Sequence, residues 1–505
     1  MPSVAAFFLI LLPWLNPFAP GPTPAAVPLL FAWACAAVLL GSCCRVLPSR
    51  FLVGTLMPSV AWAWLVAGLL SSSMGLFQYF GAGDSFLPWM NQTELGEAFA
   101  NLRQRNQFAS LTNIALAALV WLGVNGRFTG RRQWQGWAVA VLLATGNAAS
   151  SSRTGLMQLG LLCALFWVWG GWRQTFVRRV LLAAVLAYLI ATLSLPWLAG
   201  FDPAAHGIFA RLGSGGAVCA SRLTLWSNVL HLIAQKPWFG WGWGELDYAH
   251  YMTLYPDERF CDILDNAHNL PLHLAVELGL PVAVLACGIF AWLVLRARPW
   301  REIDPTRQMA WSVLALILLH SLLEYPLWYG PFQMALGLCV GLLWTASRRP
   351  DAAMQRAENF RSNRALAPYS YGLFAIISIA VVVYAAFDYH RVSQIYLAPD
   401  LRHPDHRDDT LNKIRGTRLF GNQLGFAELS LTPLTSANAA QMHALSTELL
   451  HYSPEPRVIE KVIESAVTLG RDDEALLHLA RYRAAFPQDH AKWRDANSSS
   501  DRRAQ

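Results

Sequence analysis

Apolar runs of bilayer length leave this chain few ways to fold. Runs of about 17 to 25 apolar residues, the length a helix needs to cross a hydrocarbon core, lie near residues 4–19, 27–44, 51–71, 108–125, 133–149, 155–171, 178–198, 268–295, 308–323, 329–347 and 369–388. The remaining sequence cannot clothe a soluble protein of this size. Of 505 residues, 54% are hydrophobic and only 14% charged, against about a quarter charged in soluble domains. Lipid must cover much of the surface. The fold class that follows is all-α, a polytopic integral membrane helix bundle of about eleven spans.

The formal net charge of +7 does not point to nucleic acid, because the arginines sit in short clusters between apolar runs. Arg45 and Arg50; Arg127, Arg131 and Arg132; Arg173, Arg178 and Arg179; Arg296, Arg298, Arg301 and Arg307; and the basic run 347–364 occupy alternate loops. The positive-inside rule makes those loops cytoplasmic. The intervening short loops carry few basic residues, Arg103, Arg105 and Arg153 being the exceptions. The N-terminus then lies inside and the C-terminus outside. No basic residue precedes the opening run, which reads as a retained span rather than a cleaved signal peptide.

On this topology a transmembrane domain covers residues 1–388 with a large outer loop at 199–267, and an outer soluble domain covers 389–493. That domain reads as three amphipathic helices, paired in the manner of tetratricopeptide hairpins, with fewer than two repeats visible. Residues 494–505, "RDANSSSDRRAQ", have the composition of a disordered tail.

Ionisable groups beside membrane spans are costly and need a reason. Outside the cytoplasmic clusters they gather at one depth. Gln104 and Asn106 in "NLRQRNQFASL" precede the fourth span, Arg153 in "SSSRTG" precedes the sixth, and Arg222 lies in the outer loop. His268 and Asn269 open the eighth span, and His320 and Glu324 in "HSLLEYPLWYG" close the ninth. Each also has a plainer reading: an arginine at a helix end snorkels to the interface, and a histidine at a span mouth is an interfacial residue. Arg211 and Arg259 read as solvated, Glu277 as structural. The tryptophans of "PWFGWGWGELDY" suit an interfacial re-entrant segment. Asp262 and Asp265 have no third carboxylate nearby, so neither a metal nor any cofactor is expected. Arginine grips phosphate oxygens in a bidentate fork, and a neutral histidine takes a proton from a hydroxyl. The set fits glycosyl transfer from a lipid diphosphate to an alcohol.

In chain order, "SSSRTG", "RLTLWSNVLHLIAQKPWFGWGWG", "HNLPLHLAVELGLP" and "HSLLEYPLWY" resemble the O-antigen ligase and polymerase superfamily. "NLRQRNQFASL" and "HSLLEYPLWY", with the outer tail, are most similar to its branch of bacterial protein O-oligosaccharyltransferases that modify pilin. The resemblance covers about residues 100–345. It implies a GT-C-like multi-pass enzyme of the bacterial inner membrane with its site facing the periplasm. It further implies an undecaprenyl-diphosphate-linked oligosaccharide as donor and a serine or threonine of a periplasmic, pilin-like protein as acceptor. The family's histidine falls on His268, and its diphosphate-contacting arginines on Arg153 and Arg222. The stretch Gln104-Arg105-Asn106 departs from the branch, where proline more often stands in the middle.

The periplasm is oxidising. Of eight cysteines, Cys35, Cys43, Cys44, Cys163, Cys287 and Cys339 lie within spans or at their ends. Only Cys219 and Cys261 fall in an outer soluble region, so a Cys219–Cys261 disulfide is expected. Two rival readings remain. A ligase or polymerase with a glycan acceptor would use the same residues, whereas a transporter would need broken polar helices at the bilayer midplane.

Overall fold

The computed structural model describes residues 2–44, 49–213, 218–345 and 367–504. Every regular element among them is helical: α1 (Pro2–Leu15), α2 (Ala26–Cys44), α3 (Ser49–Tyr79), α4 (Arg105–Val124), α5 (Gln133–Ala149), α6 (Arg153–Val168), α7 (Thr175–Leu198), α8 (Gly207–Gly213), α9 (Arg222–Gln235), α10 (Leu246–Met252), α11 (Leu270–Leu278), α12 (Leu280–Ala297), α13 (Pro305–Ser321) and α14 (Gly330–Thr345), followed by the helix Ala367–Ser393 and a C-terminal helical region. Five described stretches are long and apolar enough to cross a bilayer: Leu56–Tyr79, Arg105–Val124, Thr175–Leu198, Leu280–Arg301 and Gly372–Tyr396. Shorter apolar helices at Val4–Leu15, Ala26–Ser42, Arg153–Val168 and Gly330–Thr345 accompany them. The protein is an all-helical membrane protein. Arg45 and the basic run 347–364 lie outside the described residues.

The chain forms two compact units, Met1–Ser214 with Leu293–Ala386 and Gly215–Trp292 with Phe387–Gln505. In the first, α4 is the axis. Gln104 caps it by accepting from the backbone N–H of Gln107 at 3.0 Å, and every residue from Asn106 to Leu122 is buried. A helix apolar on all sides belongs inside a protein or in lipid; here protein covers it. Helix α3 comes close enough that a methyl at Gly68 would stand 2.3 Å from the Ala115 Cβ, the small-residue contact by which membrane helices pack.

One apolar run is corrected. Residues 268–295 do not make a single helix: α11 and α12 part at Gly279, whose φ is +87°. Two local causes end α11. Gly279 takes a left-handed conformation that side chains resist, and Pro281 has no N–H with which to continue the ladder.

In the second unit, α9, α10 and α11 bury Leu225, Val229, Leu232, Leu246, Ala249, Ala275 and Val276 around Phe260 and Leu264. The C-terminal region of this unit holds more helix than the amphipathic pattern suggested, at Thr410–Ile414, Gly421–Leu431, Ala439–Leu449, Pro456–Thr468, Asp472–Ala485 and Pro487–Ala504. Tyr251 of α10 is part of its apolar core, beside Leu449, Val458, Val462 and Tyr482. Residues 494–504, expected to be disordered, continue the last helix, with no proline or glycine beyond Pro487 to stop it.

Candidate functional site

In the first unit, residues from three separate stretches converge. Helix α6 begins after a turn in which Ser151 has φ +50°. Ser152 caps the helix, its hydroxyl accepting from the Gly155 N–H at 2.9 Å. The same hydroxyl donates to Asn106 Oδ1 at 2.6 Å, and Asn106 Nδ2 donates to Glu324 Oε1 at 3.2 Å. The start of α6, the start of α4 and the end of α13 thus share one buried network. Arg153 projects from it as the exposed first residue of α6. His320 belongs to a parallel layer: its Nδ1 lies 2.9 Å from Ser110 Oγ, and Gln158 Nε2 donates to Ser110 Oγ at 2.8 Å and to the Leu316 carbonyl at 2.9 Å. Gln104 is occupied as a helix cap. Arg211 is not freely solvated, because Nη1 donates to the Ser151 carbonyl at 3.1 Å.

In the second unit, Arg222 is half-buried and opens α9 directly after Ser221, whose hydroxyl accepts from the Thr224 N–H at 3.1 Å. Arg153 and Arg222 therefore repeat one design: a serine cap, then arginine in the first turn, where unpaired N–H groups and the helix dipole favour an anion. His268 is half-buried with φ +49°, held by its N–H donating to Asn266 Oδ1 at 2.9 Å. Asn269 caps α11, accepting from the Leu272 N–H at 3.1 Å. The Trp226 indole, one turn along α9 from Arg222, donates to the Ala267 carbonyl at 3.1 Å. Asp265 lies within the electrostatic reach of the His268 ring. Cys219 and Cys261 are bonded with Cα atoms 5.3 Å apart.

Behind these residues the loop is braced. Asn228 accepts from the Phe260 N–H at 2.8 Å and donates to the Glu258 carbonyl at 3.0 Å. Arg259, read as solvated, is instead half-buried and donates to the carbonyls of His250 and Thr253 at 2.8 and 3.0 Å. His250 is buried between Tyr255 Oη at 2.8 Å and the Phe260 carbonyl at 3.1 Å; burial and the Arg259 charge push its pKa down to about 3. Burial pushes the Asp247 carboxyl up to about 7. Helix α10 meets the C-terminal helices through Glu245–His451 at 2.6 Å, Tyr251–His478 at 2.9 Å and Arg481 donating to the Met252 carbonyl at 2.8 Å.

The break after α11 is interlocked with the aromatic loop. Trp241 and Gly242 N–H groups donate to the Val276 and Glu277 carbonyls at 2.9 and 3.0 Å, and Leu280 donates back to Pro237 at 2.8 Å. A side chain on Gly279 would stand 2.3 Å from the Trp238 carbonyl. Glu277 itself is buried, 3.5 Å from His273. The sequence reading missed Ser152, Ser110, Gln158 and Trp226; the serine caps alone were visible in advance, as Ser-Arg pairs opening apolar helices. Asp262 is exposed, and among the described residues no group of three or more His, Cys, Asp or Glu side chains is gathered as a metal would need.

Three family models match this chain: "Protein glycosylation ligase" over residues 98–122, "O-Antigen ligase" over 138–287 and "Virulence factor membrane-bound polymerase, C-terminal" over 308–500. Among curated proteins, it is 26% identical over 299 residues to a general O-oligosaccharyltransferase of Acinetobacter baylyi, covering 56% of this chain and 49% of the relative. It is 23% identical over 292 residues to a ComP-specific O-oligosaccharyltransferase of the same organism, covering 57% and 52%. The chain thus spans about half the length of the curated relatives it matches.

Proposed function

We propose that this chain, a member of the O-antigen ligase superfamily of the O-oligosaccharyltransferase type, transfers an oligosaccharide en bloc from an undecaprenyl-diphosphate carrier to a serine or threonine hydroxyl of a periplasmic, pilin-like protein. The acceptor oxygen attacks the anomeric carbon, the bond from that carbon to the diphosphate oxygen breaks, and the hydroxyl proton passes to the imidazole of His268. Arg153 and Arg222 hold the departing diphosphate, their fixed charges replacing a metal. The observation that carries this reading is the repeated arrangement of an arginine on a serine-capped helix start, inside a segment similar to O-antigen ligases. His268 lies in that same segment, at the foot of α11.

The enzyme sits in the bacterial inner membrane with its N-terminus inside, about eleven spans and a periplasmic site. The transmembrane domain covers 1–388 and a periplasmic helical domain 389–493. The test is mass spectrometry of pilin from cells with this protein, without it, and with His268→Ala. Loss of glycan in both altered strains, at normal membrane expression, is the expected result. Normal glycan occupancy in the His268→Ala strain removes the proposed base. The match of residues 308–500 to a membrane-bound polymerase favours a second reading, a glycan acceptor. Unmodified pilin alongside glycans lengthened only when the protein is present would select it.

A further inference from the structure

Helix α9 is apolar on both sides. Its inner face, with Leu225, Val229 and Leu232, is buried in the core of the second unit. Its opposite face presents Leu223, Ser227, Leu230 and Ala234, positions that fall within one narrow stripe at helical spacing. Leu223 is 78% exposed and Leu230 55%. A helix in a water-filled loop would turn charged groups outward on that face.

The exposed stripe continues past the end of α9 into the aromatic loop, where Trp238 is 71% and Phe239 89% exposed. This surface is fixed at the level where α12 begins, through the Leu280 N–H bonded to the Pro237 carbonyl and the close approach of Gly279 to Trp238. Helix α12 is of bilayer-crossing length and turns Leu280, Val282, Val284 and Leu285 outward. Cations close both ends of the α9 surface: Arg222 at the start, and Lys236 at the end with its ammonium 4.0 Å from the centroid of the Trp241 ring. Apolar side chains in a stripe, tryptophan at the margin and basic residues at the ends make up the pattern of a helix lying in a lipid leaflet.

We propose that α9 and residues 237–243 lie within the leaflet at which α12 begins, their outer face seated among the acyl chains of bulk lipid. This segment is then a floor at headgroup depth, with Arg222 at one end of it and Lys236 at the other. The proposal rests on the membrane placement of α12 and not on the transferase reading.

The experiment places a photoreactive benzoylphenylalanine at Leu223, Leu230 or Phe239 of the full chain in phospholipid nanodiscs, with Asp257, exposed in the same loop, as the control position. After irradiation, peptide mass spectrometry should find phospholipid acyl-chain adducts at the three apolar positions and none at Asp257. Absence of lipid adducts, or adducts to another polypeptide in their place, at Leu230 and Phe239 would overturn the proposal. So would equal lipid capture at Asp257. None of these readouts needs donor, acceptor or turnover, so a failed transferase reading leaves the result interpretable.

Discussion

The Trp226 indole N–H donates to the Ala267 carbonyl across 3.1 Å, which ties the helix headed by Arg222 to the residue preceding His268. Two of the proposed functional side chains are therefore positioned by one side-chain bond within a single unit. Trp226→Phe keeps the ring and removes the donor. With a net hydrogen bond worth roughly 1 kcal/mol, the transfer rate should fall about fivefold at unchanged expression. Initial rates in matched membranes check this, and an unaltered rate would show that α9 and α11 are held by packing alone.

Replacing Arg153 or Arg222 with lysine keeps the charge and loses the fork. Each variant should lose roughly tenfold or more in transfer rate, since bidentate charge-assisted bonds are the strong ones. Purified wild type should meanwhile work in excess chelator. Activity lost in chelator and restored by magnesium would return the phosphate-binding role to Asp262 and Asp265.

The Cys219–Cys261 bond closes a loop with a sequence separation of 42. By chain entropy, such a loop contributes about 4 kcal/mol against the reduced, unfolded chain. Non-reducing peptide mapping of protein extracted with thiols blocked should recover the two cysteines linked. Recovery of both as alkylated peptides would exclude the bridge.

Asp247 and His250 give the loop opposed pH dependences. The Asp247 pKa is raised from 3.8 to about 7, so its native form favours the protonated acid, and its contribution is lost as pH climbs through that window. The His250 pKa is lowered from 6.5 to about 3, so its contribution is present above the unfolded value and lost as pH falls towards 3. The two nearly offset. Asp247→Asn should remove one of them, and the thermal midpoint of the purified variant should then rise from pH 4 to pH 6.5 more steeply than that of wild type, by about 1.4 kcal/mol of stability for each pH unit. Parallel curves would mean that Asp247 titrates normally.

The helices were legible in the sequence because bilayer length is a local signal. The apolar runs fall on helices, and the motifs around Asn106, Arg153 and Glu324 stood out as polar groups beside those runs. Contact is another matter. That Ser152 bonds Asn106, and Asn106 bonds Glu324, depends on how α4, α6 and α13 pack, and no short-range pattern encodes it. The break at Gly279 was hidden differently. Gly279 and Pro281 stand inside an unbroken apolar run, so hydropathy joined two helices that backbone geometry separates. Arg259 shows the same limit, since its carbonyl partners exist only once the loop has closed around it.

Tyr251 belongs to a core whose other members come from helices beginning at Gly421. During synthesis, α10 therefore leaves the ribosome long before the residues that will enclose it. The core around Tyr251 stays unfinished until the helices from Gly421–Leu431 to Asp472–Ala485 have been made. A chain stalled or clipped ahead of its C-terminal helices would keep every residue proposed for chemistry and still lack the support beneath them. Assembly of this loop is in that sense timed from the helices that follow it, and a nascent copy lacks the core on which α10 rests.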